Sequence, residues 1–149
     1  MSESSLPNLP CLCANFRRAS RAITQLYEAA ICPFGIRATQ LTILQVLSRA
    51  GDLPQGKLGE ILAMDSTSLT RTLAIMKRHG WVAYRRGEDR RERWVCLALV
   101  GKSQLRRVEP AWEKVQAQLR NQLGDQKWKN FLELSHEVTL VATTQGGSL

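Results

Sequence analysis

The chain has 149 residues, 44% of them hydrophobic and 23% charged, with a formal net charge of +8. That is about one ordinary folded domain, with enough apolar content for a core and too much for a disordered tail. No apolar run approaches the roughly 18 residues that span a bilayer; Met1 to Pro10 lacks the basic and apolar regions of a secretory signal, so no membrane partner and a cytoplasmic location are expected.

Residues 1–10, rich in Ser, Pro and Asn, read as a flexible arm. From Leu12 to Ile31, apolar residues recur at Leu12, Phe16, Ala19, Ile23, Leu26, Tyr27 and Ala30, which is the spacing of one helix face. Arg17, Arg18 and Arg21 lie mostly off that stripe. Cys32-Pro33-Phe34-Gly35 ends the helix, because proline disfavours the α conformation before it and glycine frees the turn. A second helix is expected over about 38–50 and a short third over about 56–63, with Gly51-Asp52 between them. Asp65 or Ser66 then caps a fourth helix over about 67–79, with Leu69, Leu73 and Met76 on one face and Gly80 as its C′ residue.

The period next changes to two. Trp81, Val82 and Tyr84, then Trp94 to Leu99, surround the charged, glycine-containing segment Arg85-Arg86-Gly87-Glu88-Asp89, a β-hairpin pattern. Helical spacing returns over about 102–122, with Pro110 as a kink, and again over about 126–142. The polar tail from Thr143 is expected to fray. This order predicts a mostly α fold built around a winged helix-turn-helix lobe of three helices and a β-hairpin wing.

Charge is concentrated in the same region. Residues 57–107 hold twelve basic residues (Lys57, Arg71, Lys77, Arg78, Arg85, Arg86, Arg90, Arg91, Arg93, Lys102, Arg106 and Arg107) against five acids (Glu60, Asp65, Glu88, Asp89 and Glu92). Twelve minus five is +7, nearly the whole excess of the chain. A polyanion is the simplest partner for such a surface, since each phosphate contact releases condensed counterions. Catalysis is not expected: there is no Gly-rich phosphate loop, no H-E-x-x-H, and only the scattered His79 and His136. Cys11, Cys13, Cys32 and Cys96 lack the paired spacing of a structural zinc site, so no metal or cofactor is expected.

These residues resemble the multiple antibiotic resistance regulator (MarR) family of winged-helix transcription factors. The resemblance spans roughly Leu12 to Val141. It is carried by Leu58-Gly59-Glu60-Ile61-Leu62, by Asp65 to Arg71, by His79-Gly80-Trp81-Val82, by Asp89-Arg90-Arg91 at the family's D-x-R wing motif, and by Val95 to Gly101 in register with V-x-L-T-x-x-G. Ala98 stands where the family usually has threonine, and the hairpin tip lacks the usual proline. The resemblance implies that 38–100 is the DNA-binding lobe. It also implies that 11–37 and 101–143 form dimerisation helices, leaving 144–149 as a flexible tail.

With Leu69, Leu73 and Met76 inward, the fourth helix presents Thr67, Ser68, Thr70, Arg71, Lys77 and Arg78 on its other faces. The resemblance places Ser66 to Arg71 in a major groove, N-terminal end first, where Arg71 would read guanine O6 and N7. The competing reading makes the hydroxyls helix caps and Arg71 a solvated charge. Arg85, Arg86, Arg90, Arg91 and Arg93 suit a minor groove, and Asp89 would hold a wing arginine through a charge-assisted pair. Trp81 and Trp94 are expected to pack the base of the hairpin rather than stack on bases.

The first and last two helices are longer and more apolar than a winged lobe requires. By the resemblance they interlock with a second copy through Leu12, Phe16, Trp112, Leu119, Trp128, Phe131 and Leu132, giving a homodimer over a pseudo-palindromic operator. The family also implies release by a small phenolic or lipophilic effector or by thiol oxidation. Cys11 and Cys13, beside the positive end of the first helix and Arg17 and Arg18, are candidates for the latter, with plain N-terminal packing as the competing account. The function expected is that of a sequence-specific regulator of double-stranded DNA, in most cases a repressor. The alternative is a non-specific architectural or single-stranded nucleic-acid binder.

Overall fold

The fold is that of a computed structural model, described over residues 6–146. Six helices and three short strands follow one another: α1 (Leu12–Ile31), α2 (Ala38–Ala50), β1 (Leu53–Pro54), α3 (Gln55–Leu62), α4 (Ser66–Arg78), β2 (Val82–Arg86), β3 (Arg93–Leu97), α5 (Leu99–Leu123) and α6 (Asp125–Gly146). A single 3₁₀ turn, Cys32–Phe34, joins α1 to α2 as the Pro33 and Gly35 pair predicts. The winged helix-turn-helix arrangement is therefore present.

The core lies between α2, α4, the sheet and the first half of α5. Ile43, Leu44, Leu58, Leu73, Met76, Val95 and Val108 are among its fully buried side chains. The inward face of α4 is Leu69, Leu73 and Met76, as its spacing requires. Two contacts tie α1 to α2. The Glu28 carboxylate accepts the Ala38 amide at 2.8 Å, satisfying a free N–H at the start of α2, and pairs with Arg37 at 3.2 Å. On the far side, the Gln104 side chain of α5 donates to the Phe34 carbonyl at 2.8 Å, so the α1–α2 turn is held from below as well.

Several expectations are corrected. β1 has no two-residue signal of its own, yet it pairs with β3 (Leu53 with Val95, Pro54 with Trp94) and makes the hairpin a three-stranded antiparallel sheet ordered β1-β3-β2. α5 begins at Leu99, ahead of the expected start, and Pro110, the position expected to kink it, lies inside the helix. The proline removes one hydrogen-bond donor, while burial of Leu105, Val108 and Val115 on either side keeps the helix against the core. Its N-cap, Ala98, makes no side-chain cap, consistent with the missing threonine hydroxyl. α6 runs to Gly146, past the expected fraying point, with the Thr139, Thr143 and Thr144 hydroxyls bonded back onto helix carbonyls. Residues 147–149 of the tail, and 1–5 of the arm, lie outside the described residues. The rest of the arm lies against α1, with Asn15 donating to the Leu9 carbonyl at 2.6 Å and Arg18 to that of Pro7 at 2.8 Å.

No single helix among the described residues is long and apolar enough to cross a membrane. No group of three or more metal-ligating side chains converges among them either.

Candidate nucleic-acid interface

The α3–α4 turn sets the site. α3 ends on Ala63 in the left-handed conformation (φ 50°), which turns the chain sharply into α4. Asp65 then caps α4, its Oδ2 accepting the Ser68 amide at 2.9 Å. That bond holds the Asp65 carboxyl below the usual carboxylate range. With the helix start fixed, Ser66, Thr67, Ser68, Thr70 and Arg71 all face solvent. The Thr70 hydroxyl is already engaged by Gln55 of α3 at 3.0 Å, which ties the two helices of the motif together across their exposed side.

The wing rises beside them. β2 and β3 are in register from Val82–Leu97 out to Arg86–Arg93. Strand alternation puts Tyr84, Arg86 and Arg93 on the face toward α4, and Arg85, Trp94 and Cys96 on the other. Tyr84 sits between two cations, with Lys77 Nζ 5.2 Å and Arg93 Cζ 4.7 Å from its ring centroid. Two concavities result. One, of about 1010 Å³, lies between α3, the start of α4 and the wing, and is lined by Gln55, Lys57, Ser66, Arg91 and Arg93 among others. The second, of about 540 Å³, lies between the end of α4 and the wing, with Lys77, Arg86, Arg90 and Arg93 around Tyr84.

Among the described residues, Arg71, Arg78, Arg86, Arg90, Arg91 and Arg93 form no ion pair and are exposed. Arg85 differs. Its Nε donates to Asp52 Oδ2 at 3.0 Å, and its Cζ lies 4.3 Å from the Trp94 ring centroid. Arg85 holds the Asp52 carboxyl below its ordinary range, and Asp52 in return raises the guanidinium. The Cys96 thiol beside this pair is pushed up, first by burial and then by the Asp52 carboxylate.

The expected Asp89–arginine ion pair is absent. Asp89 Oδ1 instead accepts the backbone amide of Arg91 at 3.0 Å, a turn-closing bond that short aspartate side chains make readily. Trp81 is 6% exposed and stacks on His79 with centroids 4.4 Å apart, so it packs the base of the wing as expected. Trp94 is half-buried, its indole N–H donating to Glu92 at 3.1 Å. Asp52, Gln55 and Tyr84 were not identified from sequence. Their roles depend on partners 15 or more positions away, or across a strand pair, that no local spacing encodes.

Away from the wing, Leu12, Phe131 and Leu132 are exposed, Phe16, Leu119 and Trp128 half-buried, and Trp112 packs against the core. Cys11 is the N-cap residue of α1 without a side-chain capping bond, and both it and Cys13 are exposed.

A model of the MarR family matches residues 34–92, which is α2 through β2 and the wing turn. The chain is 26% identical over 117 residues to YwoH of Bacillus subtilis, an uncharacterized HTH-type transcriptional regulator; the match covers 78% of this chain and 85% of that one. Its structure is similar to that of transcriptional regulator MosR from M. tuberculosis in complex with DNA, with a TM-score of 0.81 and 30% identity over 90% of this chain and 97% of MosR. A mutant of MarR from E. coli, complexed with operator DNA, shares the fold (TM-score 0.76, 21% identity, 85% and 92% covered). An exposed capped helix beside a cationic wing, together with a 30% identical relative matched over nearly its full length, leaves one assignment: this chain belongs to the MarR family of DNA-binding transcriptional regulators.

Proposed function

We propose that the protein acts in the cytoplasm as a homodimer on a pseudo-palindromic operator, as a repressor released by a small molecule or an oxidant. The observation that carries the operator reading is the placement of Ser66 to Arg71 at the exposed, capped start of α4, next to a wing with four exposed unpaired arginines. In this reading α4 enters a major groove, with Arg71 reading guanine and Ser66, Thr67 and Ser68 bonding bases or phosphates. Lys77, Arg78, Arg86, Arg90, Arg91 and Arg93 contact phosphates or a minor groove. Arg85 and Asp89 support the wing from behind.

Dimerisation is supported by α6, which buries no residue within the single chain and exposes Phe131, Leu132, Leu134, Leu140 and Val141. Residues 11–37 and 101–143 serve as the dimerisation parts and 38–100 as the DNA-binding lobe. A two-fold dimer requires half-sites about 10 bp apart on one face of the duplex.

An effector has a place to act. A cavity of about 170 Å³ lies between α1, α2 and α5, lined by Ile23, Tyr27, Leu41, Thr42, Gln45 and Trp112. Its lining is mixed, with apolar Ile23, Leu41 and Trp112 beside the polar groups of Tyr27, Thr42 and Gln45, which suits a small phenolic molecule, and it borders α1 and α5 as well as α2 of the DNA lobe. Exposed Cys11 and Cys13 are the candidate oxidant sensors; unchanged operator affinity after diamide or peroxide treatment would remove that arm of the proposal.

Footprinting on the DNA flanking the gene for this chain, with and without simple phenols, tests the whole reading. A protected palindrome is expected. Arg71→Ala should cut discrimination between operator and random duplex by about 1–3 kcal/mol. Arg90→Ala should weaken all duplexes alike and lower the salt slope by about one unit. A protein with no preferred site and equal losses from both substitutions would be a non-specific binder instead.

A further inference from the structure

Asp52 lies in the turn between α2 and β1, outside the residues assigned to DNA contact. Its contact with Arg85 is the first link of a chain reaching the wing tip. Arg85 lies over the Trp94 ring at 4.3 Å, and the Trp94 indole donates to Glu92 Oε2 at 3.1 Å. The turn itself is closed by the Gly87 amide to the Glu92 carbonyl at 3.2 Å, the Glu92 amide to the Asp89 carbonyl at 3.0 Å, and the Arg91 amide to the Asp89 carboxylate at 3.0 Å. Gly87 is tight under this arrangement: a β-carbon there would overlap the Trp94 indole. The ring, the turn and the carboxylate of Glu92 are therefore in direct contact with one another.

The wing needs such a tie. Beyond Arg85 and Trp94 the ribbon has only two strands, since β1 pairs no further out than Pro54 with Trp94, and a two-stranded ribbon is marginal in water. It also carries Arg85, Arg86, Arg90, Arg91 and Arg93 within nine positions, outnumbering Glu88, Asp89 and Glu92 there, and the net repulsion opposes a compact tip. A wing that samples many poses must be ordered at the moment it binds, which weakens binding.

We propose that Asp52 is a positioning residue for DNA recognition: through Arg85 and Trp94 it holds the wing in a single pose, so that an acidic side chain beside a cationic DNA-binding surface strengthens operator binding. This rests on the reading that the wing engages DNA. Electrostatics alone makes the opposite demand, since removing a negative charge near a polyanion raises affinity. The sign of the effect therefore separates the two.

The test is a double-mutant cycle on operator binding, with amide hydrogen exchange of the DNA-free protein alongside. Asp52→Asn should bind operator about three- to tenfold more weakly than wild type and exchange the Gly87, Arg91 and Glu92 amides faster. Placed in an Arg85→Ala background, the same change should alter affinity by less than about twofold, because its partner is gone. Asp52→Glu, which keeps the charge, should recover part of the loss. Should Asp52→Asn not fold, Trp94→Phe keeps a ring under Arg85 but cuts the bond to Glu92, and should speed the same three amides. Operator binding by Asp52→Asn equal to or tighter than wild type, or an equal loss in both Arg85 backgrounds, would overturn the proposal. Faster wing exchange in Asp52→Asn together with an Arg90→Ala protein that binds DNA like wild type would mean that the wing reading had failed and the brace had not.

Discussion

Five wing arginines look equivalent in the sequence, and their surroundings divide them. Arg85 is committed to Asp52 and Trp94, Arg93 rests on Tyr84, and Arg86, Arg90 and Arg91 extend into solvent. Cysteines divide the same way. Cys11, Cys13 and Cys32 are exposed, while Cys96 is half-buried beside a carboxylate, both of which disfavour its thiolate. With its value raised, Cys96 stays protonated at neutral pH and becomes nucleophilic only as the pH climbs past the ordinary thiol range. Iodoacetamide at neutral pH, followed by peptide mass spectrometry, should therefore modify Cys96 at least about tenfold more slowly than the other three. Comparable rates at all four would contradict the environment described for it.

At the scale of elements, two backbone positions hold the DNA-binding motif in shape. Ala63 ends α3 in a conformation that costs a residue with a β-carbon about 1–2 kcal/mol. Ala63→Gly should stabilise the protein by about 1 kcal/mol in urea unfolding, the strain relieved outweighing the entropy glycine adds to the unfolded chain. Gly101, in the first turn of α5, is the reverse case. A β-carbon there would overlap the Trp81 carbonyl oxygen, a backbone atom that cannot rotate aside. Gly101→Ala should cost about 2–3 kcal/mol in the same measurement. The glycine that closes the family's wing pattern is thus a packing requirement where α5 meets the wing.

For the whole molecule, the decisive feature is an imbalance of burial. The lobe from α2 to the wing closes its core with the end of α1 and the first half of α5, whereas α6 contacts mainly α5 and leaves five large apolar side chains in solvent. We propose that a second copy covers that face. Wild-type protein should sediment at twice 16.8 kDa, and Leu132→Glu, at 53% exposure in the single chain, should shift it toward one copy. Operator affinity should fall with the dimer, since two half-sites are no longer engaged together. A Leu132→Glu protein that remains dimeric and binds unchanged would exclude this face.

Much of this protein is determined locally, and that part was legible before any coordinates. α1 and α2 fall within the limits their apolar spacing sets, Asp65 caps α4, and Gly80 follows it at positive φ, because period, cap and terminator all act within about one helical turn. The excess charge and its confinement to the wing region are likewise properties of composition. What only the tertiary structure decided are the pairings between distant segments. β1 exists because β3 offers it an edge some forty positions later, and Asp52 meets Arg85 across 33 positions. Asp89 closes a turn and makes no ion pair, because its short side chain reaches a nearby amide first. A sequence states which charges and strand-forming residues are present; which of them become neighbours is settled by how the chain turns back on itself, and that depends on the packing of the whole core.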